Sequence, residues 1–190
     1  LELLHREVSL AIVPFGFKAY LLKKVLYVLV IISHERRVIK HFAITEHPTS
    51  AWVAQPIRET TPFGIQLKYL IHDNDRIFTS KDLQELMANT DIKSVRTGYH
   101  SLWQNGICER TVEIIRRELI DHIVPFNEGH LQCLLAEYIN QYYNPSRTHQ
   151  GINRKTPTSS EEPVKTSITE TSLISEPILG GLYHNYRKAA

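Results

Sequence analysis

Leu67-Lys68-Tyr69-Leu70-Ile71-His72-Asp73-Asn74-Asp75-Arg76 is the stretch on which the reading of the fold turns. An apolar run gives way to acids and an amide, so a strand over 67–72 delivers Asp73 into a turn. Further on, Cys108, Val112, Ile115, Leu119 and Ile123 recur at helical spacing. They predict a helix from about 107 to 123, with Glu109 in its first turn at the edge of the apolar stripe. Between Asp73 and Glu109 stand 35 residues. That length holds one helix, one strand and their loops. Thr79 or Ser80 opens a helix to about Ala88 with Leu83, Leu86 and Met87 on one side, 92–96 is a short edge strand, and 97–106 is a loop.

Upstream, Val25-Leu26-Tyr27-Val28-Leu29-Val30-Ile31-Ile32 is an apolar, largely β-branched run of eight residues. A membrane-spanning helix needs about 20, so this reads as a buried central strand. A turn over 33–36 returns the chain in a second strand over 37–44. Before it, Val8 to Val13 makes a weaker strand that Pro14 should end. Three consecutive strands suggest an antiparallel meander. Thr49 caps a helix over about 50–59, in which Pro56 should act as an interruption that kinks or shortens it. Beyond Glu109, 130–143 forms a last long helix, and 150–178, rich in Thr, Ser, Pro and Glu, reads as an extended or disordered tail. The order of elements predicts an α/β fold: a mixed sheet, the meander first and a βαβ unit second, flanked by helices.

Each acid alone has an ordinary explanation. Asp73 lies among turn-forming residues, and an acid in the first turn of a helix is favoured by the helix dipole. Together with their surroundings they carry a resemblance. The Asp73–Glu109 pair, Ser101-Leu102-Trp103-Gln104-Asn105-Gly106 ahead of the Glu, and Glu109-Arg110 leading to Arg116-Arg117-Glu118 resemble the integrase core of insertion-sequence transposases and retroviral-type integrases. His34-Glu35-Arg36-Arg37, His47-Pro48-Thr49 with Ala51-Trp52, Tyr142-Tyr143-Asn144 with Arg147 and His149, and Gly180-Gly181-Leu182-Tyr183-His184-Asn185-Tyr186 are similar to the transposase branch of that family. The shared order runs over most of the chain.

The resemblance implies an RNase H-like fold whose two Asp and one Glu hold two divalent ions, Mg²⁺ or Mn²⁺. Two hard cations about 4 Å apart can activate an attacking oxygen and stabilise a leaving one. By the match, Asp73 is the second Asp and Glu109 the Glu, catalytic and metal-binding alike; Asp75 ranks below Asp73. The first Asp is missing. Counting back along the pattern lands on or beside Pro14, yet no Asp or Glu occurs from Val8 to His34, and Glu2 and Glu7 come too early. The expectation is a polynucleotidyl transferase by lineage, impaired as written. One ion could still be held by Asp73 and Glu109 with waters.

Candidate DNA contacts are Trp103, Asn105, Arg110, Arg116, Arg117, Arg147 and His149, with Arg154 and Lys155 as further cations that could meet phosphates. The net charge of +2 and ten histidines make no strongly basic protein, so composition adds little. The expected partner is DNA, both element ends and target, with a homo-oligomer compatible and neither a membrane nor a small-molecule substrate implied. Two cysteines in no metal-ligand spacing give no disulfide framework and suggest a reducing cytoplasm, nucleoid-associated in a bacterium. The chain opens on Leu1, so a preceding portion is expected. The expected division is a degraded or truncated first strand over 1–20, the catalytic core over 21–146 and a C-terminal tail over 147–190. The main reading is thus an integrase or transposase core of a mobile element. The alternatives are a non-catalytic DNA-binding or partner-binding remnant, or an unrelated α/β protein with a chance acid pair.

Overall fold

The computed structural model describes residues 7–16, 25–61, 67–98, 105–159 and 173–189. They fall into two units, Leu1–Glu128 and Gly129–Ala190. The first is built on a five-stranded sheet in the order β3-β2-β1-β4-β5, with β1 (Glu7–Gly16) in the middle. β2 (Val25–Ser33) pairs antiparallel with β1 and with β3 (Ile39–Thr45). β4 (Tyr69–His72) and β5 (Lys93–Arg96) continue the sheet in parallel. The meander and the βαβ unit are both present.

β2 is buried along nearly its whole length, which explains its unbroken apolar run. Leu29 and Ile31 join Leu70 in a cluster closed by Val53 and Ile57 of α1 (Ser50–Thr60) and by Leu83 and Met87 of α2 (Lys81–Asn89). Facing the other way, Val28, Val30 and Ile32 are fully buried. Here α3 (Gly106–Ile115) packs on β1 and β2, and the Cys108 thiol lies 4.0 Å from the Val30 carbonyl oxygen.

Both expected caps form. Trp52 N donates to Thr49 Oγ1 at 3.2 Å, and Leu83 N donates to Ser80 Oγ at 3.4 Å.

Three expectations need correction. Pro14 does not end the first strand, which runs for ten residues with Pro14 opposite Tyr27. Pro14 is tolerated because β4 pairs with β1 only over Glu7–Ser9, so no ladder on that side requires its missing N–H. Pro56 does not shorten α1, which continues to Thr60. Its ring is buried in the helix's core-facing side, and that packing outweighs one lost hydrogen bond. Part of the expected tail is ordered: β6 (Leu173–Ile178) and β7 (Tyr183–Lys188) form an antiparallel pair in the second unit. Residues 160–172 of that stretch lie outside the described residues.

The second unit also holds α4 (Glu128–Glu137), whose last turns, Tyr138–Tyr143, widen into a π-helix. Tyr138 and Tyr143 are fully buried there. Among the described residues no helix is long and apolar enough to cross a membrane.

The double burial of β2 sets a stability expectation. Leu29→Ala should cost about 2–5 kcal/mol, seen as a lower urea midpoint at unchanged slope. Val124→Ala, at a side chain 62% exposed, should stay within about 0.5 kcal/mol.

Candidate active site

β4 ends at His72, and this residue shapes the turn that carries Asp73. The imidazole is fully buried, with Nδ1 2.7 Å from the backbone oxygen of Asp73 and Nε2 2.8 Å from Ser94 Oγ on β5. A carbonyl oxygen can only accept, so Nδ1 carries the proton and Nε2 accepts from the Ser94 hydroxyl. Gln84 Nε2 of α2 approaches the same hydroxyl at 3.5 Å and donates to Phe78 O at 2.9 Å. The Phe78 ring lies against His72, centroids 5.2 Å apart. One buried neutral imidazole thus ties β4, β5 and α2 to the backbone of Asp73. Burial holds its pKa below the usual 6.5, against an opposing pull from its bond to the Asp73 carbonyl.

The turn is closed by its own side chains. Asp75 N donates to Asp73 Oδ1 at 3.3 Å, Ile77 N to Asp75 Oδ1 at 2.9 Å, and Asn74 Nδ2 to Thr97 O at 3.1 Å. The Asp75 carboxylate therefore accepts from the turn itself, whereas Asp73 lies at the strand end, where α/β sheets open onto ligands. Asp73 reaches solvent, but the protein around its carboxyl desolvates it and pushes its pKa up.

Glu109 stands exposed in the first turn of α3. Next to Glu109 in the chain is Cys108, whose thiol is raised far above its ordinary pKa, chiefly by burial and then by the charges of Glu109 and Asp73. Both carboxylates thus act on the same buried sulfur, across the 35 residues that separate them in sequence.

On the third side the sequence offers no acid. Ser9 of β1 is level with Ile71 of β4, and the same register extended by two residues brings Ala11 level with Asp73. Among the described residues no group of three or more His, Cys, Asp or Glu side chains could hold a metal.

The expected DNA-contacting residues are spread out. Arg110, Arg116 and Arg117 are exposed along α3 and its π-helical extension Arg116–Ile120, the last two near Asp121 at 3.9 Å and Glu118 at 3.8 Å. Such exposed pairs contribute little and leave the cations accessible. Asn105 is buried at the start of α3. Arg147 and His149 belong to the second unit, where Arg147 Nη1 is 3.2 Å from His149 Nδ1 and the His149 ring packs edge-on against Tyr143. The His149 ring is buried, and its visible work is packing. Trp103 lies outside the described residues. Sequence reasoning missed His72, although a histidine between an apolar strand and an acid was a usable sign. It missed Ser94 and Gln84 altogether, because only the tertiary fold brings them there.

Strand order 3-2-1-4-5 with helices against the sheet, shared with integrase catalytic cores, defines an RNase H-like fold. Residues 90–157 match a family model described as the integrase core domain. The structure is similar to a chain of the simian T-cell lymphotropic virus intasome in complex with the PP2A regulatory subunit B56 gamma: TM-score 0.65, 14% identity, 97% of this chain and 68% of that one. It is also similar to the HTLV-2 integrase catalytic core in complex with magnesium (TM-score 0.59, 16% identity, 80% of this chain, 93% of that one). The catalytic core of BIV integrase aligns with TM-score 0.55 at 16% identity, over 80% of this chain and 91% of that one. No curated protein matches the sequence. Fold and family model agree: residues 90–157 match the integrase core domain, and the architecture is that of integrase catalytic cores.

Two outcomes follow from the buried groups. His72 is held neutral in the fold, so the unfolded chain takes up its proton first as pH falls; stability is full above 6.5 and declines below it. His41, also lowered by burial, adds in the same direction. The urea midpoint should therefore drop between about pH 7.5 and pH 5.5, and less steeply in His72→Asn. In thiol titration of the native protein, exposed Cys133 should react at once and buried Cys108 only after denaturant is added.

Proposed function

We propose that this chain is the integrase or transposase core of a mobile element, which engages DNA on an intact scaffold but is impaired in phosphodiester cleavage and strand transfer. The observation that carries this reading is Ala11, level with Asp73 in the extended β1–β4 register, within a stretch that has no acid from Val8 to His34. Asp73 and Glu109 offer hard oxygen donors of the kind Mg²⁺ or Mn²⁺ prefers, enough for one ion that keeps most of its waters. They fall short of the set that a two-ion phosphoryl transfer needs, so the donors do not fit the metal pair implied by the fold. Binding to DNA needs no such completeness: Arg110, Arg116 and Arg117 lie exposed along the helix that carries Glu109.

Wild-type protein should leave labelled oligonucleotide ends uncut in Mg²⁺ or Mn²⁺. Ala11→Asp should raise Mn²⁺-dependent nicking by about tenfold or more over background, and adding Glu109→Gln should remove the gain. Ala11→Asn controls for inserting a polar side chain without charge, and thermal unfolding reports whether each variant folds. Robust wild-type cleavage abolished by Glu109→Gln would sink the impairment claim. Duplex affinity should fall steeply with added salt and be unchanged in Asp73→Asn; salt-insensitive or absent binding would overturn the DNA reading itself.

A further inference from the structure

The hairpin at the end of the second unit has one face in use and one open. Ser175 stands opposite Tyr186 and Pro177 opposite His184, so strand alternation places these four on one face and Glu176, Ile178, Tyr183 and Arg187 on the other. The second face is anchored. Tyr183 stacks on Tyr142 with centroids 4.0 Å apart and planes at 18°, Ile178 is buried, and Arg187 pairs with Glu176. Just past β6, Leu179 N donates to Glu137 Oε1 at 2.6 Å, fixing the hairpin to α4 of the same unit.

The open face is different in kind. Tyr186 is 64% exposed, and Ser175, Pro177 and His184 are exposed beside it. The His184 and Tyr186 rings lie 6.3 Å apart at 31°, and the residues facing them across the ladder, Pro177 and Ser175, are too small to cover them. Over residues 173–189 the charged residues are Arg187 and Lys188 against one acid, Glu176, which Arg187 already neutralises. Two uncovered rings side by side on a rigid strand, in a segment of net positive charge, suit a polyanion that also offers flat apolar surfaces. Unpaired nucleotides have that chemistry; a duplex keeps its base faces stacked inside.

We propose that the His184–Tyr186 face of the terminal hairpin stacks unpaired bases of single-stranded DNA. This deepens the reading of the chain as a DNA-handling protein and rests on it, but is independent of Asp73 and Glu109. Stacking makes the site tolerant of sequence and selective for strand state.

The test is fluorescence anisotropy of the full chain with labelled oligo(dT) and with a blunt, closed hairpin duplex at one salt concentration. Tyr186→Ala, alone and with His184→Ala, should weaken oligo(dT) binding by about fivefold or more, while duplex affinity moves by less than about twofold. Tyr186→Trp should retain oligo(dT) binding, and an unchanged melting temperature shows that the variants fold. Unchanged oligo(dT) affinity in Tyr186→Ala, or equal weakening toward both DNAs, overturns the proposal. So does concentration-dependent self-association that Tyr186→Ala abolishes, which would assign the face to a second copy. Wild-type protein that binds duplex but not oligo(dT) refutes this site alone; protein that binds neither refutes the DNA reading as well.

Discussion

The constraint on which the rest of the first unit depends is the short partnership of β1 and β4. They pair over Glu7–Ser9 and Tyr69–Ile71 and no further, while β1 goes on pairing with β2 as far as Gly16. The parallel ladder stops early, and β4 ends at His72, the kind of strand end at which such sheets bind ligands. Asp73 stands there because the strand ends at His72. α3, with Glu109 in its first turn, packs on β1 and β2.

The end of β4 keeps its shape through a polar interior. Leaving His72 buried without partners would cost about as much as a lost hydrogen bond or more. Instead both ring nitrogens are satisfied, one by the backbone of Asp73 and one by Ser94. The carbonyl of the acid-bearing residue is therefore fixed from below by a group that never meets solvent. An alanine at Ser94 would leave Nε2 without its donor and loosen that support, although Ser94 lies on a different strand and 21 positions from Asp73 in sequence.

Much of this was legible from residue patterns alone. The β2 run, the Thr49 and Ser80 caps and the α3 stripe each followed from one local rule, and the acid pair needed only spacing and neighbours. What stayed hidden depended on context. A proline rule marks Pro14 and Pro56 as breakers because it cannot know which ladder is absent or which ring is buried. The stripe from Cys108 held through Leu119, but Ile123 is only half-buried. From Arg116 to Ile120 the helix widens, Asp121 N reaching back five residues to Arg116 O, and the 3.6-residue period loses its phase there. The same widening at Tyr138–Tyr143 lets two tyrosines five apart turn inward together, which no helical wheel would have grouped. The hairpin was hidden for another reason: a Thr- and Ser-rich approach gave it the look of a tail.

A first strand without Asp or Glu from Val8 to Gly16 is physically compatible with a fold this complete. Carboxylates held in partly desolvated surroundings oppose folding when no cation is bound: burial alone already pushes the Asp73 proton affinity up, and the Asp75 charge adds to it. The Cys108 thiol responds to the charges of Asp73 and Glu109 in the same direction. A third acid level with Asp73 would add to that repulsion, whereas alanine at position 11 adds none. The sheet gains nothing structural from an acid there, because β1 is held by its long ladder to β2 and by the packing of α3. The sheet therefore does not depend on a carboxylate at position 11, and mutation can exchange the residue there without pressure on the scaffold.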